Sequence, residues 1–145
     1  MRAVVQRVGK TTLSVDGKIV SEIGKGFAVY FGVKRGDGRQ QADYLAKKIA
    51  GLRVFEDENG KMNLALKDVG GEILLISQFT LLADVSHGNR PGFSDAEDPA
   101  VAREIYLYMA DKLREYGIPV KTGVFVADMK IAQYNDGPVT ILYEA

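Results

Sequence analysis

Cysteine is absent from this chain of 145 residues, and histidine occurs once, at His87. Without cysteine the chain cannot form disulfides, use a thiolate nucleophile or bind a metal through sulfur. A single histidine also leaves the usual zinc ligand sets incomplete within one chain. The sequence therefore predicts a protein that uses no metal and no other cofactor.

Long apolar runs and an excess of one charge are missing as well. No segment has the pattern of a signal peptide or the length of a membrane span, so we expect a cytoplasmic protein without a membrane partner. Lys and Arg number 19, as do Asp and Glu, which gives a formal net charge of zero. Proteins that follow many phosphates are usually basic, so this balance argues against a wide duplex-binding surface. Binding to one end of a nucleic acid, where few phosphates are touched, stays compatible with it.

The residues that are present indicate one globular domain over positions 1–145. Hydrophobic residues make up 46% of the chain and charged residues 26%, which is typical of a folded domain and not of a disordered segment. No internal repeat, linker or low-complexity tract divides the sequence. A chain of this length can bury a substantial core without a second domain.

Periodicity and turn residues predict strands together with two helices. Asp16-Gly17 is a hairpin signal. Helical spacing of apolar residues over 42–52, with Asp37 as a cap, predicts the first helix, and Asp98 followed by Pro99 marks the start of the second. Residues 84–99 are polar and predict a surface loop or flap. The predicted strands cover residues 3–8, 11–15, 18–23, 27–33, 52–55, 72–82, 120–126, 130–134 and 139–143.

This arrangement predicts an α+β fold. Several strands come first, then a helix, more strands and a second helix. We expect a largely antiparallel or mixed, barrel-like sheet with the two main helices packed against it.

Few side chains are good candidates for acid–base or nucleophilic chemistry. His87 lies in a polar stretch and is best interpreted as a solvated loop residue. The carboxylates cluster at a turn and at a helix start, where charge is expected, and form no evident acid and base pair. Residues 77–80 (Ser-Gln-Phe-Thr) place two hydroxyls and a carboxamide inside an apolar run. They either alternate faces on an ordinary strand or present polar groups to a pocket.

Gly137 and Pro138 stand before the last β-branched run. A turn that leads into the closing strand is the ordinary interpretation. Proline fixes its own φ and donates no hydrogen bond, so the pair can also form a rigid bend that exposes two carbonyls on fixed vectors. Such carbonyls can accept from an ammonium group.

Five segments together resemble one enzyme family. They are MRAVVQRV at positions 1–8, Asn63, SQFTLLA at 77–83, NRPGFSDA at 89–96 and NDGPVT at 135–140. The chain resembles D-aminoacyl-tRNA deacylase, also called D-Tyr-tRNA deacylase, from Met1 to its last residues. The patterns SQxxLxA and NxGPxT, intact and in order, make the resemblance specific.

The resemblance implies a homodimer that hydrolyses the ester between a D-amino acid and the 3′-terminal adenosine of tRNA. Ser77, Gln78, Phe79 and Thr80 would line the catalytic pocket, and Met129 would flank it. The residues around the bend would bind the substrate and select its handedness. The bend itself would contain a cis peptide bond and would enter the partner's pocket. The residues around it are Arg7, which would lock the bend, together with Asn135, Gly137 and Pro138.

The mechanism that we expect relies on positioning and on stabilisation of an oxyanion, because no base is evident. Backbone N–H groups near Gln78 and Phe79 are the candidate donors, and the ribose hydroxyl beside the ester is the candidate proton acceptor. If the main chain of the bend distinguishes D- from L-amino acids, the same pocket would admit glycyl-tRNA to some extent, because glycine has no handedness. Two alternatives stay open: a conventional esterase with Thr80 as nucleophile, and a non-catalytic dimer that binds a nucleic-acid end.

Overall fold

A computed structural model describes residues 1–145 and contains eight strands, two α-helices and one short 3-10 helix. Neither α-helix is long and apolar enough to cross a membrane. The strands are β1 (Arg2–Val15), β2 (Lys18–Ile23), β3 (Gly26–Gly32), β4 (Arg53–Glu56), β5 (Met62–Ala65), β6 (Glu72–Ser77), β7 (Val120–Thr122) and β8 (Lys130–Glu144). The α-helices are α1 (Arg39–Ala50) and α2 (Pro99–Glu115), and the 3-10 helix spans Phe79–Leu82.

The long strand β1 organises the main sheet. It pairs antiparallel with β2, β3 and β8, while β3 pairs parallel with β6 and β6 with β7. Strands β4 and β5 form a separate antiparallel pair. The predicted α+β class with a mixed sheet and two helices is therefore confirmed. The hairpin at Asp16-Gly17 is also confirmed, because both residues have positive φ as its tight turn requires.

The two faces of the curved sheet cover separate hydrophobic clusters. The larger cluster of 24 buried residues lies between the sheet and both helices. A smaller cluster of six lies on the opposite side and includes Val8 and Leu13 from β1. Along its length β1 pairs first with β3 and then with β2, and β8 pairs with both parts of it, within a curved, barrel-like sheet.

Helix α1 begins one residue later than predicted, and its N-cap is Gly38. Asp37 is not the cap, because its carboxylate accepts a hydrogen bond from the Lys34 N–H at 2.7 Å and pairs with the Met1 amino group at 2.5 Å. Helix α2 begins as predicted. Pro99 is its first residue, and the Asp98 carboxylate accepts from the Ala100 N–H at 2.9 Å.

Several predicted strand boundaries are wrong. Segments 3–8 and 11–15 form one strand, β1, the strand predicted over 120–126 ends at Thr122, and β5 was not predicted. Two further differences lie at the family motifs. The run 72–82 does not continue as one strand, since β6 ends at Ser77 and the 3-10 helix follows. The segments 130–134 and 139–143 are one strand, β8, so the Gly137-Pro138 pair lies within the last strand and not before it.

Candidate active site

A largely apolar cleft of about 580 Å³ opens where β6 ends. Ser77 lies at its base, and Phe79 and Phe93 form one wall with their rings edge to face at 4.9 Å between centroids. Phe79 is 59% exposed although it is aromatic. An exposed ring beside an apolar cavity is a surface on which a planar or apolar ligand group can pack.

The turn at the mouth of the cleft depends on Gly32. A β-carbon added there would lie 2.8 Å from the Gln78 carbonyl oxygen and 2.5 Å from a Leu82 methyl carbon. The chain can thus fold over the end of β3 only because residue 32 has no side chain. This close approach lets the 3-10 helix after β6 pack over the end of β3, which the apolar run alone does not reveal.

One of the two predicted oxyanion donors is already used. The Gln78 N–H donates to the Phe31 carbonyl oxygen at 2.8 Å, so the expectation that Gln78 supplies an oxyanion N–H is wrong. The first internal donor of the 3-10 helix is Leu81, whose N–H binds the Gln78 carbonyl. The N–H groups of Phe79 and Thr80 precede it and have no partner within the helix. Phe79 and Thr80 are therefore the candidate main-chain donors in this turn.

The Thr80 hydroxyl lacks an activating base. Its oxygen accepts a hydrogen bond from the Gln78 side-chain amide at 3.0 Å. An amide N–H can hold the hydroxyl in place but cannot take its proton. His87, the one histidine, lies exposed in the loop after the 3-10 helix and does not line the cleft.

Three charged residues line the cleft: Arg35, Glu97 and Asp98. Glu97 accepts hydrogen bonds from the N–H groups of Gly36 at 2.7 Å and Asp98 at 2.9 Å. The Gly36 bond, then the Asp98 bond, lower the pKa of the Glu97 carboxyl below its ordinary value. A carboxylate with a lowered pKa is a poor general acid and a weak general base near neutral pH.

The far wall of the cleft is the loop after β7, which carries Met129. The Met129 sulfur lies 2.6 Å from where a β-carbon on Gly123 would be, so a larger residue at 123 would displace the Met129 side chain. Val126 has a φ of +69° and is 79% exposed, an unusual conformation for a β-branched residue. Strained backbone of this kind concentrates at functional sites.

The remaining predicted site residues lie together on β1 and β8. Val8 pairs with Asn135 and Gln6 with Thr140, so β8 bulges between these pairs. Gly137 and Pro138 are exposed in this bulge and are joined by a cis peptide bond.

Arg7 fixes the base of the bulge. Its side chain is 9% exposed, and its guanidinium donates to the carbonyl oxygens of Asp136 at 2.9 Å and Val54 at 2.5 Å. A lysine has one nitrogen and cannot reproduce this two-directional contact. Arg7 thereby ties the bulge to β4, which positions Gly137 and Pro138 relative to the rest of the chain.

The structure thus brings the predicted residues into two groups. Ser77, Phe79 and Met129 line the cleft, with Gln78 and Thr80 beside them in the chain. Arg7, Asn135, Gly137 and Pro138 form the second group, and none of these four lines the cleft. Sequence reasoning missed Phe93, Glu97 and Arg35. Phe93 lies inside the motif NRPGFSDA, which was the one available signal.

Comparison with known proteins identifies the class. Residues 4–144 match the family described as D-Tyr-tRNA(Tyr) deacylase. Proteins named D-aminoacyl-tRNA deacylase from Anaeromyxobacter dehalogenans (strain 2CP-C) and Persephonella marina (strain DSM 14350 / EX-H1) are each 54% identical to it over 145 residues. These alignments cover 100% of this chain and 97% and 98% of the relatives.

Solved structures agree with this match. One is titled "c-Myc DNA Unwinding Element Binding Protein" and superposes with a TM-score of 0.93 at 40% identity, covering 100% of this chain and 99% of that one. A probable eukaryotic D-amino acid tRNA deacylase shares the fold with a TM-score of 0.83 at 18% identity, over 98% and 97% of the two chains. The class is a deacylase, a hydrolase that acts on ester bonds. The chain belongs to the D-Tyr-tRNA(Tyr) deacylase family, as its motifs predict.

Proposed function

We propose that this protein hydrolyses the ester between a D-amino acid and the 3′-terminal adenosine of tRNA, and so releases free D-amino acid and tRNA. The observation that carries the proposal is the 54% identity, over the whole chain, to relatives named D-aminoacyl-tRNA deacylase. The apolar cleft beside free main-chain donors is consistent with an acyl-transfer reaction. With tRNA as substrate, the cytoplasm is the expected compartment.

The active site is a composite of two protomers. The cleft and the Gly137-Pro138 bulge belong to one chain, but the bulge does not line that chain's own cleft. In a homodimer the bulge of one protomer enters the cleft of its partner, where its carbonyl oxygens accept from the substrate's ammonium group. The exposed apolar side chains of Tyr134 and Leu142 on β8, 69% and 75% accessible, support a partner on this strand.

The handedness of the substrate's amino acid is recognised by the main chain of the Gly137-Pro138 bulge. Rejection of an L-amino acid requires an obstacle to its side chain or amino group, and a fixed bend supplies one whatever the side chain is. Arg7 holds this bend through two carbonyls, which supports its role as a positioning residue. Glycine has no handedness, so glycyl-tRNA is also a substrate.

Catalysis uses the N–H groups of Phe79 and Thr80 and the substrate's own ribose. Water attacks the ester carbonyl, and the two N–H groups stabilise the negative charge that develops on its oxygen. The proton of the water passes to the ribose hydroxyl beside the ester, which passes its own proton to the departing 3′-oxygen. No side chain of the enzyme needs to change its protonation state.

The test is a direct comparison of D-Tyr-tRNA and L-Tyr-tRNA with purified protein. We expect release of D-tyrosine with essentially no release of L-tyrosine, and a measurable rate with Gly-tRNA. Equal hydrolysis of the two enantiomers, or of neither, contradicts the proposal.

The neighbour titled a DNA unwinding element binding protein favours a second candidate, a non-catalytic dimer that binds a nucleic-acid end. This candidate predicts that tRNA binds while no amino acid is released from either enantiomer. The same assay, combined with a filter-binding measurement, separates the two functions.

A further inference from the structure

Arg35 carries the only positive charge among the side chains that line the cleft. No side-chain hydrogen bond or ion pair joins its guanidinium to another residue. Its neighbour Lys34, in contrast, pairs with the Asp95 carboxylate at 3.7 Å. An unpaired guanidinium at the rim of a cavity is available for an incoming anion.

The backbone under Arg35 is firmly held. Its N–H donates to the Asp95 carbonyl at 2.8 Å, and the Gly36 N–H donates to the Glu97 carboxylate at 2.7 Å. The Asp37 N–H closes the turn on the Lys34 carbonyl at 3.0 Å. The turn is therefore anchored from both sides, and only the Arg35 side chain is free to adapt to a ligand.

The carboxylates of the cleft do not neutralise this charge through direct contact. Glu97 is bound by the N–H groups of Gly36 and Asp98, and Asp98 by that of Ala100. Their oxygens bond to main-chain N–H groups, and Glu97 attracts the Arg35 guanidinium through space without a direct contact. Among the side chains of the cleft, only Arg35 attracts a phosphate, while Glu97 and Asp98 repel one, so a phosphate is expected beside Arg35.

We propose that Arg35 binds a phosphodiester group of the RNA strand whose end enters the cleft. This inference rests on the proposed function, which places an aminoacylated 3′ end in the cleft. The planar guanidinium binds two oxygens of one phosphate at once, which fixes the strand's position as well as adding affinity. Arg35 is thus a binding residue for the polynucleotide and not for the amino acid.

The experiment compares R35Q with K34Q, a control that removes an adjacent charge already paired with Asp95. Each variant is assayed on D-Tyr-tRNA and on 3′-O-D-tyrosyl-adenosine, which carries the ester but no phosphate. For R35Q we expect kcat/KM to fall by about 10- to 100-fold on the tRNA, the usual effect of losing a charged hydrogen bond, and to stay unchanged on the nucleoside. K34Q should stay close to wild type on both, and R35K should recover part of the loss.

A binding measurement tests the inference without catalysis. The affinity for uncharged tRNA is measured at several salt concentrations, and R35Q should reduce the slope of log K against log[salt] by about one. An unchanged slope, or equal losses on tRNA and nucleoside, overturns the role of Arg35. A wild-type protein that binds tRNA but releases no D-tyrosine contradicts the proposed function instead, and the slope still decides the role of Arg35.

Discussion

The Thr80 hydroxyl separates a covalent from a non-covalent mechanism at the scale of one residue. It accepts from the Gln78 amide and has no base beside it, while its main-chain N–H is a proposed oxyanion donor. Thr80→Val removes the hydroxyl but keeps the shape and the N–H. We therefore expect single-turnover hydrolysis of D-Tyr-tRNA to fall by no more than about fivefold, since only a hydrogen bond to the Gln78 side chain is lost.

A conventional esterase would respond differently to the same change. Loss of its nucleophile would reduce turnover by about 10³-fold or more, and the wild type would accumulate an acyl-enzyme that denaturing mass spectrometry detects. Gln78→Leu, which leaves the hydroxyl in place without its amide partner, is the matched control. A loss of about 10³-fold in Thr80→Val, or detection of an acyl-enzyme in the wild type, would contradict catalysis by main-chain groups.

The residues of the site were predictable only where a motif carries them. Ser77 and Phe79 line the cleft as the motif at 77–83 predicts, and Met129 lines it as the family resemblance implies. Arg35 and Glu97 were missed, because the turn and the loop that carry them are distant in sequence and line one cleft only in the fold. The use of the Gln78 N–H by Phe31 was also invisible, since it arises from parallel pairing between β3 and β6. Such contacts follow from tertiary geometry and not from local residue type.

At the scale of elements, Gly32 constrains the position of the turn after β6, which is proposed to carry the oxyanion donors. In Gly32→Ala the new methyl group would meet the Gln78 carbonyl at 2.8 Å, and backbone cannot move aside as a flexible side chain can. The turn must shift, and small displacements of catalytic groups cost up to about 100-fold in rate. We expect kcat for D-Tyr-tRNA to fall at least about tenfold, while the circular dichroism spectrum keeps its native form.

Gly24→Ala is the control for that prediction, because the nearest atom to a new methyl group there is a Glu72 carboxylate oxygen at 3.7 Å. This variant should hydrolyse D-Tyr-tRNA at the wild-type rate. If Gly32→Ala also does so, the turn after β6 does not carry the oxyanion donors.

Elements with a clear pattern were predicted well, and elements shaped by a neighbour were not. The β1–β2 hairpin and the start of α2 follow from local signals, Asp16-Gly17 and Asp98-Pro99. Residues 79–82 have the apolar composition of a strand, but packing over Gly32 makes them a 3-10 helix. In β8 the Gly137-Pro138 pair has the composition of a turn, yet pairing with β1 on both sides keeps it within one strand.

At the scale of the whole molecule, one chain contains the cleft and the Gly137-Pro138 bulge but does not bring them together. Strand β8 pairs only with β1, so its outer edge has no partner strand within the chain. Tyr134 and Leu142 expose apolar surface along the same strand. An unpaired edge of this kind can associate with another chain, which is compatible with the proposed homodimer in which each bulge completes the other cleft.

Mixing two inactive variants tests that assembly. Phe79→Ala removes a wall of the cleft, and Gly137→Val disrupts the bulge, because residue 137 has a φ of +147° and a β-carbon there would lie 2.5 Å from the Val139 nitrogen. We expect each homodimer to be inactive on D-Tyr-tRNA. After the two are unfolded together and refolded, random pairing gives heterodimers with one intact site, so activity should return to about a quarter of the wild-type value. A double variant refolded with wild type provides the control for exchange. The cleft and the bulge do not combine across protomers if native mass spectrometry shows mixed dimers and these dimers stay inactive. The same conclusion follows if sedimentation shows that the active wild type is a monomer.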